Sequence, residues 1–167
     1  DAALFGQVSD KRLEIEELQK KFVAAIETLK QSKLGKGGKG NQALYSLPWY
    51  MLIGPPAAGK TTLIQNSGLQ FPLDTSRVRG VGGTRDCDWF FSTSAIFLDT
   101  AGRYTTEQTD EPEWLGFLDL LKKYRKKKPL NGVIVSLAVT DLMVRTEEVE
   151  QHAATIRRRL DELISRL

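Results

Sequence analysis

The residues best suited to chemistry in this 167-residue chain form a glycine-rich segment. It reads Gly54-Pro55-Pro56-Ala57-Ala58-Gly59-Lys60-Thr61 and matches the pattern G-x-x-x-x-G-K-[ST] in full. In this pattern backbone N–H groups surround the phosphates, the lysine reaches the β- and γ-phosphates, and the hydroxyl binds Mg²⁺. Thr62 can add a hydrogen bond further back on the phosphate chain. The segment therefore predicts a site for a nucleoside triphosphate with Mg²⁺.

The flanking sequence supports this interpretation. The apolar run 49–53 lies between Pro48 and Gly54, as expected of a short buried strand, and a helix is predicted from Thr61. The motif requires this order of strand, loop and helix. A simple glycine-rich turn is therefore the weaker alternative.

A second motif follows at 95–102. Four apolar residues lead to Asp99 at the carboxyl end of a predicted strand, where α/β sheets bind their ligands. We expect Asp99 to hold Mg²⁺ through a water molecule and Gly102 to offer its backbone N–H to the γ-phosphate. A helix cap or turn is the alternative role for Asp99, and the upstream motif disfavours it.

The loop between the motifs is predicted to sense the γ-phosphate. Thr84, at the end of the glycine-rich stretch 80–84, is the candidate to complete the Mg²⁺ shell and contribute to catalysis. A solvent-facing role for Thr84 is equally compatible with the sequence, and Thr75 is a competing candidate. Arg103 could stabilise charge on the γ-phosphate as an arginine finger. A salt bridge between Arg103 and an acid such as Glu107 is the favoured alternative.

Three segments organise the chain. Residues 1–34 predict an amphipathic helix, which could be a packing element or a stalk that binds a partner. Residues 35–46 form a Gly/Lys linker, and residues 47–167 form the main domain. Within that domain we expect a hairpin of strands 86–91 and 95–98, a helix from Pro112, a strand at 133–139 and a helix from Thr146.

This order predicts an α/β fold: a P-loop NTPase (Ras-like) three-layer α/β/α domain with a mostly parallel sheet. The 133–139 strand should lie beside the 49–53 strand. An apolar strand at a sheet edge needs a cover, so we expect the domain to be truncated at its C-terminus and the native chain to add a strand after Leu167.

Composition bounds the remaining functions. The net charge of +3 gives no argument for nucleic-acid binding, and the single cysteine excludes an internal disulfide framework. No apolar run approaches the roughly 18 to 20 residues of a membrane span. The basic run 122–128 predicts a solvated face, or contact with anionic lipid or an acidic partner. His152 has no companions at zinc-ligand spacing and is interpreted as a surface residue.

The two motifs resemble those of GTPase-type P-loop proteins, in which Asp-x-x-Gly closes on the γ-phosphate. The sequence Asp-Thr-Ala-Gly-Arg of residues 99–103 also occurs in signal-recognition-particle GTPases, but those proteins carry a longer insert between the two motifs. A closer resemblance, from about Trp49 to the C-terminus, is to the IcmF-like (TssM) proteins of type VI secretion systems. The segments that carry it are 49–63, 80–89, 99–104, 130–134 and 140–142.

That resemblance implies a domain on the cytoplasmic face of the bacterial inner membrane. It implies anchoring by segments outside this chain and assembly with TssL and TssJ. It also places a base-reading Thr-Lys-x-Asp just beyond the last helix. Because this chain lacks [NT]-K-x-D, ATP and GTP both remain candidate ligands. Arg103 stands where Ras-like GTPases have a water-orienting Gln, so we expect slow or partner-dependent hydrolysis.

Two rival functions remain open. The first is a structural scaffold with a vestigial nucleotide pocket that docks other secretion subunits. The second is a P-loop kinase, for which the sequence offers no clear acceptor site or arginine-rich lid.

Overall fold

Five α-helices and four strands make up the part of the chain that the computed structural model describes. That part covers residues 2–34, 40–73, 84–143 and 146–167, without the side chains of 2–10 and 108. The elements are α1 (Ala2–Gln31), α2 (Ala43–Ser46), β1 (Trp49–Ile53), α3 (Lys60–Gln65), β2 (Cys87–Phe91), β3 (Ile96–Thr100), α4 (Glu111–Tyr124), β4 (Gly132–Val135) and α5 (Thr146–Arg166). Short 3₁₀ turns lie at Gly40–Gln42, Gly102–Thr105, Gln108–Asp110 and Val139–Met143.

The strands form one mixed sheet in the order β2-β3-β1-β4. Strand β1 pairs in parallel with β3 and with β4, whereas β2 and β3 form an antiparallel hairpin. The predicted α/β class is confirmed. The predicted hairpin and the place of the 132–135 strand beside β1 are confirmed as well.

Strand β4 is shorter than the predicted 133–139: it begins at Gly132 and ends at Val135. Ser136 still donates its N–H to the Ile53 carbonyl at 2.9 Å, but its hydroxyl donates to the Ala58 carbonyl at 2.7 Å. The chain is thereby drawn toward the 54–61 loop, and residues 139–143 turn into a 3₁₀ helix.

One face of the sheet carries the main core. Successive strand residues point to opposite faces, so Trp49, Met51 and Ile53 share this face. Helices α1, α4 and α5 cover it. Phe22 of α1 is fully buried and meets the Trp89 ring edge-on, with 5.0 Å between centroids. Burying one such side chain contributes about 1.5 to 3 kcal/mol, so α1 packs on the domain along its described side chains.

The other face is covered much less. Its buried residues are Leu52, Phe90 and Ile64, the last of which belongs to the six-residue helix α3, and Phe71 packs against them. Beyond β4, Val139 and Met143 are 73% and 80% exposed. No helix among the described residues is long and apolar enough to cross a membrane.

The basic run 122–128 divides into two parts. Its five lysines are exposed, but Arg125 is only 2% exposed, so the predicted solvated face is wrong for that residue. The Arg125 guanidinium donates to the Leu44 carbonyl at 2.9 Å and lies 4.8 Å from the Trp49 ring centroid. Burial lowers the pKa of Arg125 to about 10, with Tyr45 opposing the shift. Arg125 therefore ties the end of α4 to α2 and β1.

Candidate functional site

A pocket of about 440 Å³ lies at the carboxyl ends of β1 and β3. The structure brings both predicted motifs together there. The lining residues are Pro56, Ala57, Ala58, Gly59, Lys60, Thr61, Thr62, Thr84, Thr100, Ala101, Gly102 and Arg103.

The 54–61 loop has an unusual backbone. Gly59 has φ of 77°, and Ala57 has φ of 61°, in the left-handed region that residues with a Cβ avoid. The Ala57 conformation costs about 1 to 2 kcal/mol, and strain of this kind concentrates at functional sites. Gly54 approaches the Ser136 carbonyl so closely that a Cβ there would lie 2.1 Å from its oxygen. Glycine is therefore favoured at 59 by its positive φ and required at 54 by the close approach of Ser136.

Lys60 is held inside this loop with 7% of its surface exposed. Its Nζ donates to the carbonyls of Gly54 at 2.9 Å and Pro55 at 3.0 Å. An ammonium has three hydrogens, so one remains for another acceptor. Burial lowers the pKa of Lys60, and the Asp99 carboxylate only partly opposes this. A second anion in the pocket would therefore favour the charged lysine.

The three residues predicted to bind metal meet at one oxygen atom. The Thr61 hydroxyl donates to Asp99 Oδ2 at 2.5 Å, and the Thr84 hydroxyl lies 3.1 Å from the same oxygen. Asp99 is fully buried. The competing Thr75 and residues 80–83 lie outside the described residues.

Asp88 joins this group and was missed from the sequence. Its Oδ2 lies 3.2 Å from the Thr84 hydroxyl, and it is the cross-strand partner of Asp99. Two residues on opposite strands can be paired only once the hairpin register is known. The available signal was an acid two positions after Asp86, inside the predicted hairpin.

Gly102 joins the two motifs through backbone contact. A Cβ on Gly102 would lie 2.3 Å from Pro56 N and 2.7 Å from the Pro55 carbonyl carbon. Backbone atoms of the loop cannot yield as the end of a flexible side chain can. Glycine is therefore required here for a steric reason.

Arg103 lines the pocket, but its guanidinium is engaged elsewhere. It forms ion pairs at 2.7 Å with Asp110 and at 2.7 Å with Glu113. Although burial lowers the pKa of Arg103, the hydrogen bonds to these two acids outweigh it and raise the pKa. The salt-bridge interpretation describes this geometry, with Asp110 and Glu113 in place of the expected Glu107.

Helix α5 supplies another arginine that sequence reasoning missed. Arg159 is fully buried and donates to the backbone carbonyls of Tyr104 at 2.6 Å and Glu107 at 3.3 Å. Its other partner is Glu162, at 2.8 Å. Arg159 is the last of three consecutive arginines, and the sequence does not show which of them faces inward. It fixes the chain just after Gly102.

His152 lies half-buried on α5. Among the described residues, no group of three or more His, Cys, Asp or Glu side chains is placed to hold a metal ion. The described residues would offer a metal at the candidate site the hydroxyls of Thr61 and Thr84 and the carboxylate of Asp99.

Comparison with known proteins places the chain in a family. Residues 107–167 match the model of the IcmF-related N-terminal domain. The chain is also 47% identical, over 163 residues, to the type VI secretion system component TssM1 of Pseudomonas aeruginosa. That alignment covers 92% of this chain and 15% of the relative. No solved structure matches the chain with significance.

Residues 107–167, which contain α4, β4 and α5, carry the IcmF-related match within a domain that has an α/β core. The chain belongs to the TssM/IcmF-like proteins, and the resemblance seen in its motifs is confirmed. It spans about 15% of the length of the relative it matches.

Proposed function

We propose that this chain is a P-loop NTPase-like domain that binds a nucleoside triphosphate with Mg²⁺ and serves as a switch within a type VI secretion component. The observation that carries the proposal is the convergence of Lys60, Thr61, Thr84 and Gly102 on one pocket, with the buried Asp99 bonded to the hydroxyls of Thr61 and Thr84.

Each residue has a role that its position supports. Lys60 supplies positive charge to the β- and γ-phosphates, and the backbone N–H groups of the 54–61 loop surround them. The hydroxyls of Thr61 and Thr84 and the carboxylate of Asp99 form an oxygen donor set, which suits Mg²⁺. Bound Mg²⁺ would neutralise phosphate charge. Gly102, packed on Pro56, offers its N–H at the γ-phosphate end.

Hydrolysis should be slow in the isolated domain. The Arg103 guanidinium is paired with Asp110 and Glu113, and no other side chain of 99–103 is suited to orient an attacking water. We expect turnover well below 1 s⁻¹ in a phosphate-release assay, compared with about 5 to 20 s⁻¹ for assisted GTPases. Turnover near or above about 1 s⁻¹ would contradict this assignment of Arg103.

The rival function is a scaffold whose pocket is vestigial and which docks other secretion subunits. The relative is named a type VI secretion system component, which supports other secretion subunits as partners. We propose TssL and TssJ as such partners, and we place the domain on the cytoplasmic face of the bacterial inner membrane within the same proposal. Docking alone, however, gives no reason for the strained Ala57 or for the buried Lys60.

Fluorescent nucleotide titration separates switch from scaffold. GTP and ATP analogues are titrated with Mg²⁺ and with EDTA, and each unlabelled nucleotide then competes. The switch predicts saturable binding that Mg²⁺ strengthens, and a smaller Mg²⁺ effect in Thr61→Ala. A folded wild-type chain that binds neither nucleotide would support the scaffold instead.

A further inference from the structure

Two lysines of helix α1 reach the two segments that border the phosphate end of the pocket. We propose that Lys11 and Lys21 are positioning residues, which fix the 84–86 and 101–106 segments and thereby set the affinity of the site for a triphosphate. The affinity part of this proposal rests on the proposed function; the positioning part does not.

Lys21 holds the first segment. Its Nζ contacts both carboxylate oxygens of Asp86, at 2.7 and 2.9 Å. Asp86 is 7% exposed and lies two residues after Thr84. The Asp86 carbonyl also accepts the N–H of Ala101 at 2.7 Å. One acid therefore connects α1 to the chain on either side of the pocket.

Lys11 holds the second segment through Asp110. Its Nζ lies 2.6 Å from Asp110 Oδ1, and the other oxygen of Asp110 pairs with Arg103 at 2.7 Å. Asp110 is 3% exposed, whereas the side chains of Lys11 and Arg103 are 33% and 27% exposed, so only the central acid of this chain of charges is removed from water. Arg103 follows Gly102 directly, and Gly102 packs on the 54–61 loop. A shift of Asp110 would therefore be felt at the glycine.

The two segments are also joined to each other. Arg103 Nε donates to the Arg85 carbonyl at 3.0 Å. With the bond from Ala101 to Asp86, this makes a frame of backbone and side-chain contacts around the pocket entrance. Helix α1 contacts this frame through Lys11 and Lys21, which are ten residues apart, or about 15 Å along a helix axis.

Helix α1 packs on the core at positions between and next to the two lysines. Between the lysines, Leu18 is 1% exposed, and Phe22 just beyond them packs against Trp89 and Phe117. Coupling is reciprocal in binding free energy, so a ligand that orders the frame also favours the docked position of α1. Conversely, displacement of α1 from this docked position should weaken triphosphate binding.

The first test measures hydrogen exchange without nucleotide. Lys21→Met should speed exchange at the amides of 85–88 and Ala101, and Lys11→Met should speed it at 103–107. Arg12→Met and Lys20→Met, at exposed neighbouring positions on α1, are the matched controls and should change neither segment. Unchanged exchange in both lysine variants would overturn the positioning role.

The second test compares triphosphate with diphosphate. Lys21→Met should raise the Kd for a Mg²⁺-bound triphosphate about five- to tenfold and leave the diphosphate Kd within about twofold, because the diphosphate depends on the 54–61 loop. Lys21→Arg should restore the affinity. Equal weakening of both nucleotides indicates a purely structural role and overturns the affinity part. Failure of the wild type to bind either nucleotide overturns the proposed function, while the exchange test still decides the positioning role.

Discussion

Gly102 shows how a single residue can carry the contact between two motifs. Its backbone lies against Pro55 and Pro56, and a methyl group would come within 2.3 Å of a backbone nitrogen. Gly102→Ala should therefore lower the free energy of unfolding by about 1 to 3 kcal/mol, the usual cost of overpacking. It should also abolish nucleotide binding, because the 54–61 loop must move. Chemical denaturation and nucleotide titration measure the two effects.

Gly116→Ala is the matched control for Gly102→Ala. Gly116 lies inside α4, and a Cβ there would meet its nearest atom, Ile15 Cγ2, at 3.9 Å, an ordinary contact. Because alanine is favoured over glycine in a helix by about 1 kcal/mol, this variant should be as stable as the wild type or more so. If both variants lost the same stability, the steric account of Gly102 would be wrong.

Residue types in the site could be predicted from the sequence, but their partners could not. Lys60, Thr61 and Asp99 belong to sequence motifs whose residue types have a known physical role, and the structure brings them together. Asp88 depends on strand register, and the partners of Arg103 depend on the turn that carries Asp110 toward α1. These contacts join residues that no local periodicity connects.

At the scale of elements, Asp110 links the 102–105 turn to α1, and it makes stability depend on pH. Burial raises the pKa of Asp110, but hydrogen bonds from Lys11 and Arg103 outweigh it, so the pKa lies below its ordinary value. A lowered folded-state pKa adds stability above the unfolded pKa of about 4, and that stability is lost as pH falls through the folded pKa.

Asp110→Asn tests this linkage. At pH 7 it should lower the free energy of unfolding by about 1.5 to 3 kcal/mol, as expected for charged hydrogen bonds. The difference from the wild type should shrink as pH falls from about 5 to below the folded pKa. Urea denaturation across that range gives the measurement. A difference that stayed constant with pH would mean that Asp110 is not ionised in the native state.

Helix and strand types followed from hydrophobic period, whereas the limits of β4 did not. Apart from Ser136, the run 133–139 is apolar, so hydrophobic pattern alone did not predict that β4 would end at Val135. The Ser136 hydroxyl donates to the Ala58 carbonyl just after that end, and this is a tertiary contact. Likewise, the amphipathic pattern of α1 was compatible with a stalk or a packing element, and only the contacts of Phe22 and Leu18 show it packed.

For the whole molecule, the edge at β4 is the main exposed apolar feature of the described residues. Strand β4 pairs only with β1 there, and Val139 and Met143 extend the apolar surface beyond it. An open apolar edge favours association between chains. The expectation that another strand covers this edge stays a prediction.

Met143→Gln tests the edge, with Ile164→Gln as control. The two side chains are 80% and 74% exposed, so neither change should alter stability by more than about 0.5 kcal/mol. Sedimentation at high concentration should show less self-association in Met143→Gln, and no change in Ile164→Gln on α5. Equal behaviour of the two variants would exclude the β4 edge as the associating surface.

The central claim, that the pocket binds a triphosphate through the 54–61 loop, is tested most directly by calorimetry on Lys60→Ala. The wild type should bind Mg²⁺-GTP or Mg²⁺-ATP at a single site. Removing the ammonium should weaken binding at least tenfold, because a charge-assisted contact is worth about 1.5 to 3 kcal/mol. Lys60→Met keeps most of the side-chain stem, so it should weaken binding to a similar degree. It controls for the possibility that Lys60→Ala loses binding by unfolding. Equal affinity in the wild type and in two folded variants, or no binding by the wild type, would contradict the account.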